Sequence, residues 1–321
     1  YFLVGEMDDA SDLTYQVQVF PEPSNQKLVF VSDYTGTREL FLVAVDENNI
    51  IQLTDNGYAT GDPRFGYESK EAYLEMQPVF SPSGLGIAYV SNANGNNDIY
   101  VTYARGPDLG VRTLIYTADP GNDTNPSWHP GGEYLAFDTN KSGKSEIYTV
   151  DVKNGLTDPL IQMPGRHAYD PEYSPDGQLV AFNATLVSNN GPTNIYVHSI
   201  STGENTNITN TDMTNVGQHD WSPDGSKLVF RADPDPTDTY HPSQLEIFII
   251  NKDGSNLVQI TNNQKFDASP KWSNDGTSIY FVSYEDQEQP KIYAMATDGS
   301  NVRRVTTLSN SMQEIYFDIY E

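Results

Sequence analysis

The sequence predicts an all-β fold: a six-bladed β-propeller with four antiparallel strands per blade. Three observations support this prediction. A short motif recurs at intervals of 45 to 60 residues, a period typical of propellers and solenoids. Each copy is rich in β-branched and aromatic residues punctuated by turn residues, which favours strands over helices. A single blade leaves apolar faces uncovered, so six copies are expected to close into a ring.

The first element of each copy is a short strand that ends in an aromatic residue. These residues are Phe20, Phe80, Trp128, Tyr173, Trp221 and Trp272, and all three tryptophans of the chain are among them. A turn follows, for example SPDG at 174–177 and again at 222–225. Proline presets the backbone of such a turn, aspartate bonds to it, and glycine takes the left-handed position. The turn therefore predicts a hairpin to the second strand.

The remaining three strands of a copy also repeat. The second has an apolar core, as in LAF at 135–137, and the third begins with a triplet such as EIY at 146–148. The fourth is short and often ends in Leu-Thr or Ile-Thr, as at 260–261. The predicted blades span residues 15–54, 77–116, 125–162, 170–209, 218–261 and 269–306, with terminal strands at 1–5 and 312–320. Which terminus completes a blade begun by the other is left open.

The repeat resembles that of TolB-like propellers. The resemblance rests on Trp-Ser-Pro-Asp-Gly (221–225), an apolar triplet ending in an aromatic residue, Asp-Ile-Tyr (98–100) and Leu-Thr (53–54), and it covers about residues 15 to 306. It concerns the propeller part alone, without the N-terminal α/β domain of TolB proper. It implies the propeller fold and leads us to expect a role at the cell envelope.

The composition of the chain argues against several classes of protein. The chain has 18 basic and 44 acidic residues, a formal net charge of −26, whereas a nucleic-acid-binding surface needs clustered Lys and Arg. It has no cysteine, so no disulfide forms. No apolar run reaches the length of about 18 residues expected of a membrane helix. The start at Tyr1 leads us to expect that a signal peptide has been removed and that the location is periplasmic, cell-surface or secreted.

Long segments interrupt the repeat on the face opposite the turns. They include 55–77, 184–193 and 231–245, and elaborated loops on a rigid scaffold are where binding residues concentrate. Tyr, Phe and Arg are enriched in interfaces. The predicted partner-binding residues are Tyr58, Arg64, Phe65, Tyr67, Tyr73, Tyr169 and Tyr240. The alternative is that these loops only cover the mouth of the channel.

A second group of residues is expected in the links between blades, near the channel mouth. His167, Asp170, His219 and Asp220 carry side chains that bind divalent cations such as calcium. A resemblance to propeller-type oligogalacturonate lyases, which use His ligands around a central metal, makes this set worth testing. The other interpretation, which we favour, is that the carboxylates accept hydrogen bonds from exposed backbone amides. We therefore predict no cofactor.

The leading prediction is a non-enzymatic, extracytoplasmic binding or assembly module. It docks a protein or polysaccharide partner at the cell envelope through the long-loop face. The alternative, from another class, is a metal-dependent polysaccharide lyase or hydrolase that acts at the channel mouth. The sequence contains neither the Gly-x-Ser-x-Gly motif of a serine hydrolase nor a Walker loop. The first prediction requires a captured partner, and the second requires a metal near His167 and His219.

Overall fold

The computed structural model describes fourteen segments of the chain. They are residues 2–5, 15–18, 27–32, 39–44, 49–54, 74–103, 113–116, 120–188, 192–211, 213–235, 245–263, 265–284, 290–305 and 317–320. Within these segments the regular structure is all β, and no helix is long and apolar enough to cross a membrane. Six four-stranded antiparallel sheets form the blades of a propeller, and a two-stranded sheet is separate from them. The predicted fold class is confirmed.

The strands follow the chain blade by blade. The separate sheet pairs β1 (Phe2–Gly5) with β2 (Tyr15–Gln18). Blade 1 contains β3 (Lys27–Ser32), β4 (Glu39–Ala44) and β5 (Asn49–Gln52). Blade 2 contains β6 (Glu75–Phe80), β7 (Gly86–Ser91), β8 (Asp98–Tyr103) and β9 (Thr113–Tyr116). Blade 3 contains β10 (Asp123–Trp128), β11 (Tyr134–Thr139), β12 (Glu146–Asp151) and β13 (Thr157–Ile161).

The other three blades have the same construction. Blade 4 contains β14 (Arg166–Tyr173), β15 (Leu179–Leu186), β16 (Asn194–Ser199) and β17 (Asn205–Asn207). Blade 5 contains β18 (Thr214–Trp221), β19 (Lys227–Asp233), β20 (Glu246–Asn251) and β21 (Val258–Gln259). Blade 6 contains β22 (Asp267–Trp272), β23 (Ser278–Ser283), β24 (Lys291–Ala296) and β25 (Arg303–Arg304).

The ring is closed by a strand from the C-terminal end of the sequence. β26 (Phe317–Tyr320) pairs with β3, placing Phe317 opposite Phe30, and it is the innermost strand of blade 1. The structure therefore differs from the predicted first blade, which began at residue 15: β2 pairs with β1, because β26 already occupies the inner edge of β3. Phe20 lies outside the described residues.

The innermost strands also begin earlier than predicted. In blades 2 to 6 they begin at residues 75, 123, 166, 214 and 267, whereas the predicted blades began at 77, 125, 170, 218 and 269. Each of these strands contains a register shift against its neighbour. Such a bulge bends a strand without ending it, so residues expected in links between blades lie within strands.

Aromatic residues at the repeat positions form the contacts between blades. Trp221 is buried and packs with Ala181 and Ile195 of blade 4 and with Leu228 of its own blade. Its Nε1 donates to the carbonyl of Glu172 in blade 4 at 3.1 Å. Trp128 makes the equivalent bond to Val79 of blade 2 at 3.2 Å. The repeated aromatic is therefore an anchor that joins each blade to the one before it.

The turns after these aromatics have the predicted backbone. Gly177, Gly225 and Gly276 have φ of 68°, 64° and 69°, the left-handed region that suits glycine. In the SPDG turn of blade 5, Ser222 Oγ donates to Asp224 Oδ1 at 2.6 Å and accepts from the amide of Lys227 at 2.9 Å. The predicted hairpins are confirmed. We call the surface that carries these turns the turn face, and the opposite surface the loop face.

The Leu-Thr and Ile-Thr pairs have a specific structural task. Thr261 Oγ1 donates to Glu246 Oε2 at 2.6 Å and accepts from the amide of Ile247 at 2.8 Å. Thr54 makes the same two bonds with Glu39 and the amide of Leu40, both at 2.9 Å. The threonine thus links the chain after the fourth strand to the start of the third strand by hydrogen bonds. One of these bonds satisfies a buried carboxylate.

Candidate functional site

The innermost strands surround a central channel that contains a cavity of about 360 Å³. Its walls come from β6, β10, β14, β18, β22 and β26, with additional side chains from β15 and β19. Exposed Asn215 lies at its rim. The lining residues that carry the argument below are Tyr169, Asp170, Glu172, Asn183, His219, Lys271 and Asp318. Every blade thus contributes to one cavity.

A ring of bulge residues holds these walls together. Gln77, Asn125, Asp170, Gln218 and Ser269 each stand three positions before the repeated aromatic and have φ between 49° and 57°. Positive φ is uncommon for residues other than glycine. It is held here by bonds from blade to blade. Asn125 N donates to Gln77 Oε1 at 2.9 Å, Gln218 N to Asp170 Oδ2 at 3.2 Å, and Ser269 N to Gln218 Oε1 at 3.0 Å.

A buried carboxyl in blade 3 joins the bulges of blades 3 and 4, so that the bonds link blades 2 to 6 in sequence. Asp138 Oδ1 accepts from Asn125 Nδ2 at 2.7 Å and from the amide of Asp170 at 3.0 Å, and Oδ2 accepts from Thr124 Oγ1 at 2.8 Å. Burial nevertheless raises the pKa of Asp138 to about 6, and the nearby Asp170 charge acts in the same direction. These bonds fix the position of Asp170 at the cavity wall.

One lysine in the channel is surrounded by carboxylates. Lys271 Nζ lies 2.9 Å from Asp220 Oδ1 and 3.4 Å from Glu172 Oε1. Asp220 Oδ2 also accepts the amide of Trp272 at 2.7 Å, and Asp318 Oδ2 accepts that of Phe80 at 2.8 Å. Burial alone would lower the pKa of Lys271, but Asp220 and Glu172 raise it well above its ordinary value. Lys271 is therefore a permanent cation in the channel.

Two carboxyls near this lysine have raised pKa values. Burial raises the pKa of Glu172 well above its ordinary value, although Lys271 opposes the shift. Burial raises that of Asp318 as well, again against the influence of Lys271. Charged groups removed from water shift towards their neutral form unless they are well paired. These two carboxyls therefore keep their protons to a higher pH than exposed carboxyls do.

The predicted metal-ligating residues do not form one ligand set. His167 Nδ1 accepts the amide of Ser145 at 3.0 Å, and Asp220 is engaged by Lys271 and Trp272 as described. Asp170 and His219 do meet: His219 Nδ1 lies 3.9 Å from Asp170 Oδ2. Across the described part of the chain, no three His, Asp or Glu side chains are grouped so that they could hold a metal ion.

The expected bonds from carboxylates to backbone amides are present. Asp170 accepts the amide of Gln218, and Asp220 that of Trp272. All four of the residues considered as metal ligands lie on inner strands, His167 and Asp170 on β14 and His219 and Asp220 on β18. Their predicted placement in links between blades was therefore wrong, because the bulge extends each strand past the expected boundary.

Tyr169 is the predicted partner-binding residue that the structure describes. It is half-buried, lines the cavity, and its hydroxyl lies 3.1 Å from Thr193 Oγ1. Burial raises its pKa. The other predicted partner-binding residues lie outside the described residues: Tyr58, Arg64, Phe65, Tyr67, Tyr73 and Tyr240. Their role stays a prediction.

The residues that border these long segments do lie on the loop face. Leu74 N donates to Asn92 Oδ1 at 2.7 Å, beside the start of β6. Asp267, the first residue of β22, donates its amide to the carbonyl of Leu245 at 2.9 Å. Inner strands end at the turn face, so their first residues mark the opposite surface. Leu74 and Leu245, the described residues that follow segments 55–73 and 236–244, therefore lie on the loop face.

Of the lining residues that carry the argument, four were not predicted from the sequence: Glu172, Asn183, Lys271 and Asp318. A signal for two of them was available. The position directly before the repeated aromatic carries a charge in three consecutive copies, at Glu172, Asp220 and Lys271. Inner strands of a propeller surround one axis, so charges at one repeat position meet there. Asn183 has no such signal, because it belongs to the second strand of its blade. Its side chain lies beside Gly217, where a Cβ atom would be only 2.9 Å from Asn183 Nδ2.

The fold and the channel define a six-bladed β-propeller with a central cavity lined by charged and polar side chains. The family described as the TolB beta propeller domain matches residues 66–189 and 166–317. Together these matches cover more than half of the chain, and the chain belongs to this family. The resemblance noted in the repeat is confirmed.

Individual relatives match a smaller part of the chain than the family does. An uncharacterized protein of Agrobacterium fabrum, Atu1656, is 30% identical over 163 residues, which are 49% of this chain and 53% of that protein. A TolB homolog of Chlorobium chlorochromatii is 28% identical over 156 residues, 49% of this chain and 30% of that protein. The matched part thus spans about half, or less, of the length of these curated relatives.

Solved structures share the fold. TolB from Acinetobacter baumannii superposes with a TM-score of 0.65 at 20% identity, over 88% of this chain and 67% of that one. An oligogalacturonate lyase from Vibrio parahaemolyticus superposes with a TM-score of 0.55 at 16% identity, over 88% and 74%. At these identities the similarity establishes the propeller architecture alone, which hosts both binding proteins and enzymes.

Proposed function

We propose that the chain is a non-catalytic binding module that acts outside the cytoplasm and docks a protein partner on its loop face, over the mouth of the channel. The observation that carries this proposal is the cavity itself. Six blades converge on it, its wall is fixed by bonds between blades, and its rim carries Tyr169. Preorganised concave sites with a few placed polar groups are typical of ligand binding.

The charge of the chain bears on the kind of partner. A net charge of −26 attracts basic surfaces and speeds their association. Aromatic residues, a type that contributes strongly to interface energies, occur in the sequence of segments 55–73 and 236–244, and Arg64 lies in the first of them. A basic protein surface, rather than an anionic polymer, is therefore the partner favoured here.

The proposal is tested with Tyr169→Ala. The partner is first captured from the native source with the immobilised chain, identified and purified, and its affinity is then measured by calorimetry. Tyr169→Ala should weaken binding at least tenfold, because truncating an aromatic anchor at an interface commonly costs about 2 kcal/mol. Tyr103→Ala is the matched control, since Tyr103 is exposed and paired with Gly86 beside the turn face. Equal affinities of the two variants would contradict the proposal.

The alternative, a metal-dependent polysaccharide lyase or hydrolase, requires a divalent metal ion whose binding involves His167 and His219. Elemental analysis of the protein as purified, and of the double variant His167→Ala and His219→Ala, decides between the two. One equivalent of a divalent metal that is lost in the double variant would favour the enzyme, and binding of a protein partner without metal would favour the module.

A further inference from the structure

We propose that the pocket formed by Asp170, Glu172 and Asn183 receives a cationic group, an ammonium or a guanidinium, from a basic residue of the protein partner. The inference rests on the proposed function and adds the chemistry by which the partner is recognised. The pocket belongs to the cavity wall between blades 4 and 5.

Two oxygen atoms in this pocket accept no hydrogen bond from the described residues. Asn183 is 2% exposed, and its Oδ1 has no hydrogen-bond partner among the described residues. Its Nδ2 donates to Asp170 Oδ2 at 3.0 Å, so the amide is oriented with Oδ1 as the unused atom. Glu172 Oε2 is buried and has no geometric hydrogen-bond partner in the described structure; burial and the neighbouring Asp220 carboxyl raise the pKa of Glu172, and a cation beside Oε2 would favour the ionised, accepting form. A buried acceptor left unsatisfied destabilises the protein, so a ligand that donates a hydrogen bond here is bound more tightly.

The channel already holds one cation, the ammonium of Lys271, between carboxylate oxygens. Lys271 Nζ contacts Asp220 Oδ1 at 2.9 Å and Glu172 Oε1 at 3.4 Å. The ammonium thus occupies one oxygen of Glu172 and leaves the other. A second ammonium or a guanidinium beside Asp170 would repeat this chemistry, and guanidinium is suited to bridge two oxygens at once.

His219 forms the wall of the pocket beside Asp170, and its Nδ1 lies 3.9 Å from Asp170 Oδ2. Burial lowers the pKa of His219, so its imidazole is neutral at neutral pH and does not compete as a cation. Asp170 Oδ2 accepts from the backbone amide of Gln218 at 3.2 Å and from Asn183 Nδ2 at 3.0 Å. Both bonds fall on Oδ2, and the side chain is 29% exposed, so Oδ1 is open to a ligand that enters the cavity. Arg231 also lines the cavity, so an entering cation meets this guanidinium as well.

The test uses three capped tripeptides as probes: acetyl-Gly-Arg-Gly-amide, acetyl-Gly-Lys-Gly-amide and the neutral acetyl-Gly-Gln-Gly-amide. The chain has five histidines, so protein labelled with ¹³C at histidine gives a spectrum simple enough to assign by single substitutions. We expect the Arg and Lys peptides to shift the His219 signal and to leave that of His129, which lies in a turn of the turn face, unchanged. The Gln peptide should shift neither.

Variants then locate the contact. Asp170→Asn and Glu172→Gln should each weaken the Arg peptide at least tenfold, whereas Asp298→Asn, in an exposed turn between strands three and four of blade 6, should leave its affinity unchanged. Two charge variants are used because Asp170 also supports the bulge ring, and thermal unfolding checks that both remain folded. Equal shifts with the Gln peptide, or unchanged affinity in both charge variants, would overturn the inference.

Three further outcomes are informative: the first tests the source of the cation, and the other two separate the inference from the proposed function. If n-butylamine binds as tightly as the Lys peptide, the pocket takes a free amine and the assignment to a partner residue is wrong. If no probe shifts His219 while Tyr169→Ala still weakens the partner, the loop face remains the binding face and only the cation pocket is refuted. If the Arg peptide binds through Asp170 but Tyr169→Ala leaves the partner unaffected, the pocket stands and the docking proposal fails.

Discussion

Trp221 shows how much one residue contributes to the contact between two blades. It is buried against blade 4 and bonds to the carbonyl of Glu172. Trp221→Ala should lower the free energy of unfolding by about 3–5 kcal/mol, the usual cost of removing a large buried aromatic. Denaturant unfolding measures it. Tyr134→Ala, at a side chain that is 42% exposed, is the control expected to change stability little, and an equal loss in both variants would contradict the anchor role.

Asp267 makes stability depend on pH. Its carboxylate accepts from Ser283 Oγ and Asn263 Nδ2, yet burial raises its pKa to about 6, and Glu246 adds to the rise. An unfolded aspartate loses its proton near pH 3.9. Between about pH 4 and pH 6 the folded state therefore binds more protons than the unfolded state, and stability contributed by this group falls as pH rises through that window.

The magnitude follows from the shift. About two pKa units correspond to roughly 3 kcal/mol of stability that is present below pH 4 and lost above pH 6. Asp267→Asn removes the titration, so the difference between variant and wild type should move in favour of the variant as pH rises from 4 to 7. Urea unfolding at several pH values measures this. A difference that is constant with pH would show that Asp267 does not titrate in this range.

At the scale of the strands, neighbouring blades approach too closely for side chains at certain turns. Gly299 has φ of 82°, and a Cβ there would overlap the carbonyl of Ile260 in the preceding blade. At Gly254 the same Cβ would lie 2.9 Å from the carbonyl of Ile208. The hairpin between the third and fourth strands thus rests on the backbone of the neighbouring blade, and its glycine is needed for space as well as for conformation.

Gly299→Ala therefore carries two costs. Positive φ costs an alanine about 1–2 kcal/mol, and the overlap adds about 1–3 kcal/mol. Gly143→Ala isolates the first cost, because Gly143 has φ of 91° and nothing within 4 Å of an added Cβ. Unfolding by denaturant should show a larger loss for Gly299→Ala than for Gly143→Ala. Equal losses would mean that the hairpin yields and that the close approach is unimportant.

The strands also show which features the sequence could predict. Aromatic anchors and turn residues are side-chain signals that repeat, so the fold followed from them. The bulge positions are occupied by the polar residues Gln77, Asn125, Asp170, Gln218 and Ser269, and four of the five are followed by proline. A polar residue before proline also indicates the end of a link between strands, so this pattern did not show that each strand continues past its bulge, and the strand starts were misplaced. Asp170 and His219 were predicted to lie near each other. Asn183 could not be predicted, because its place in the cavity depends on the pairing of β15 with β14, which only the folded sheet defines.

At the scale of the whole molecule, scaffold and binding surface are expected to be separable. Replacing residues 58–72 with a short Gly-Ser linker should leave the propeller folded, because loop length contributes only weakly to closure entropy. Leu74 is kept, since its amide bonds to Asn92. The melting temperature should stay close to that of the wild type, and affinity for the purified partner should fall at least tenfold. An unchanged affinity would move the binding site away from this segment.

The pairing of β26 with β3 has a consequence for how the protein is made. Phe317 joins Phe30, so the inner edge of blade 1 cannot be covered until the ribosome has delivered almost the whole described chain. Until then β3 presents unpaired backbone groups, which are a template for association with other chains. Nascent propellers are thus expected to need protection by chaperones late in synthesis, and a ribosome that stalls before residue 317 would release an open ring with an adhesive edge.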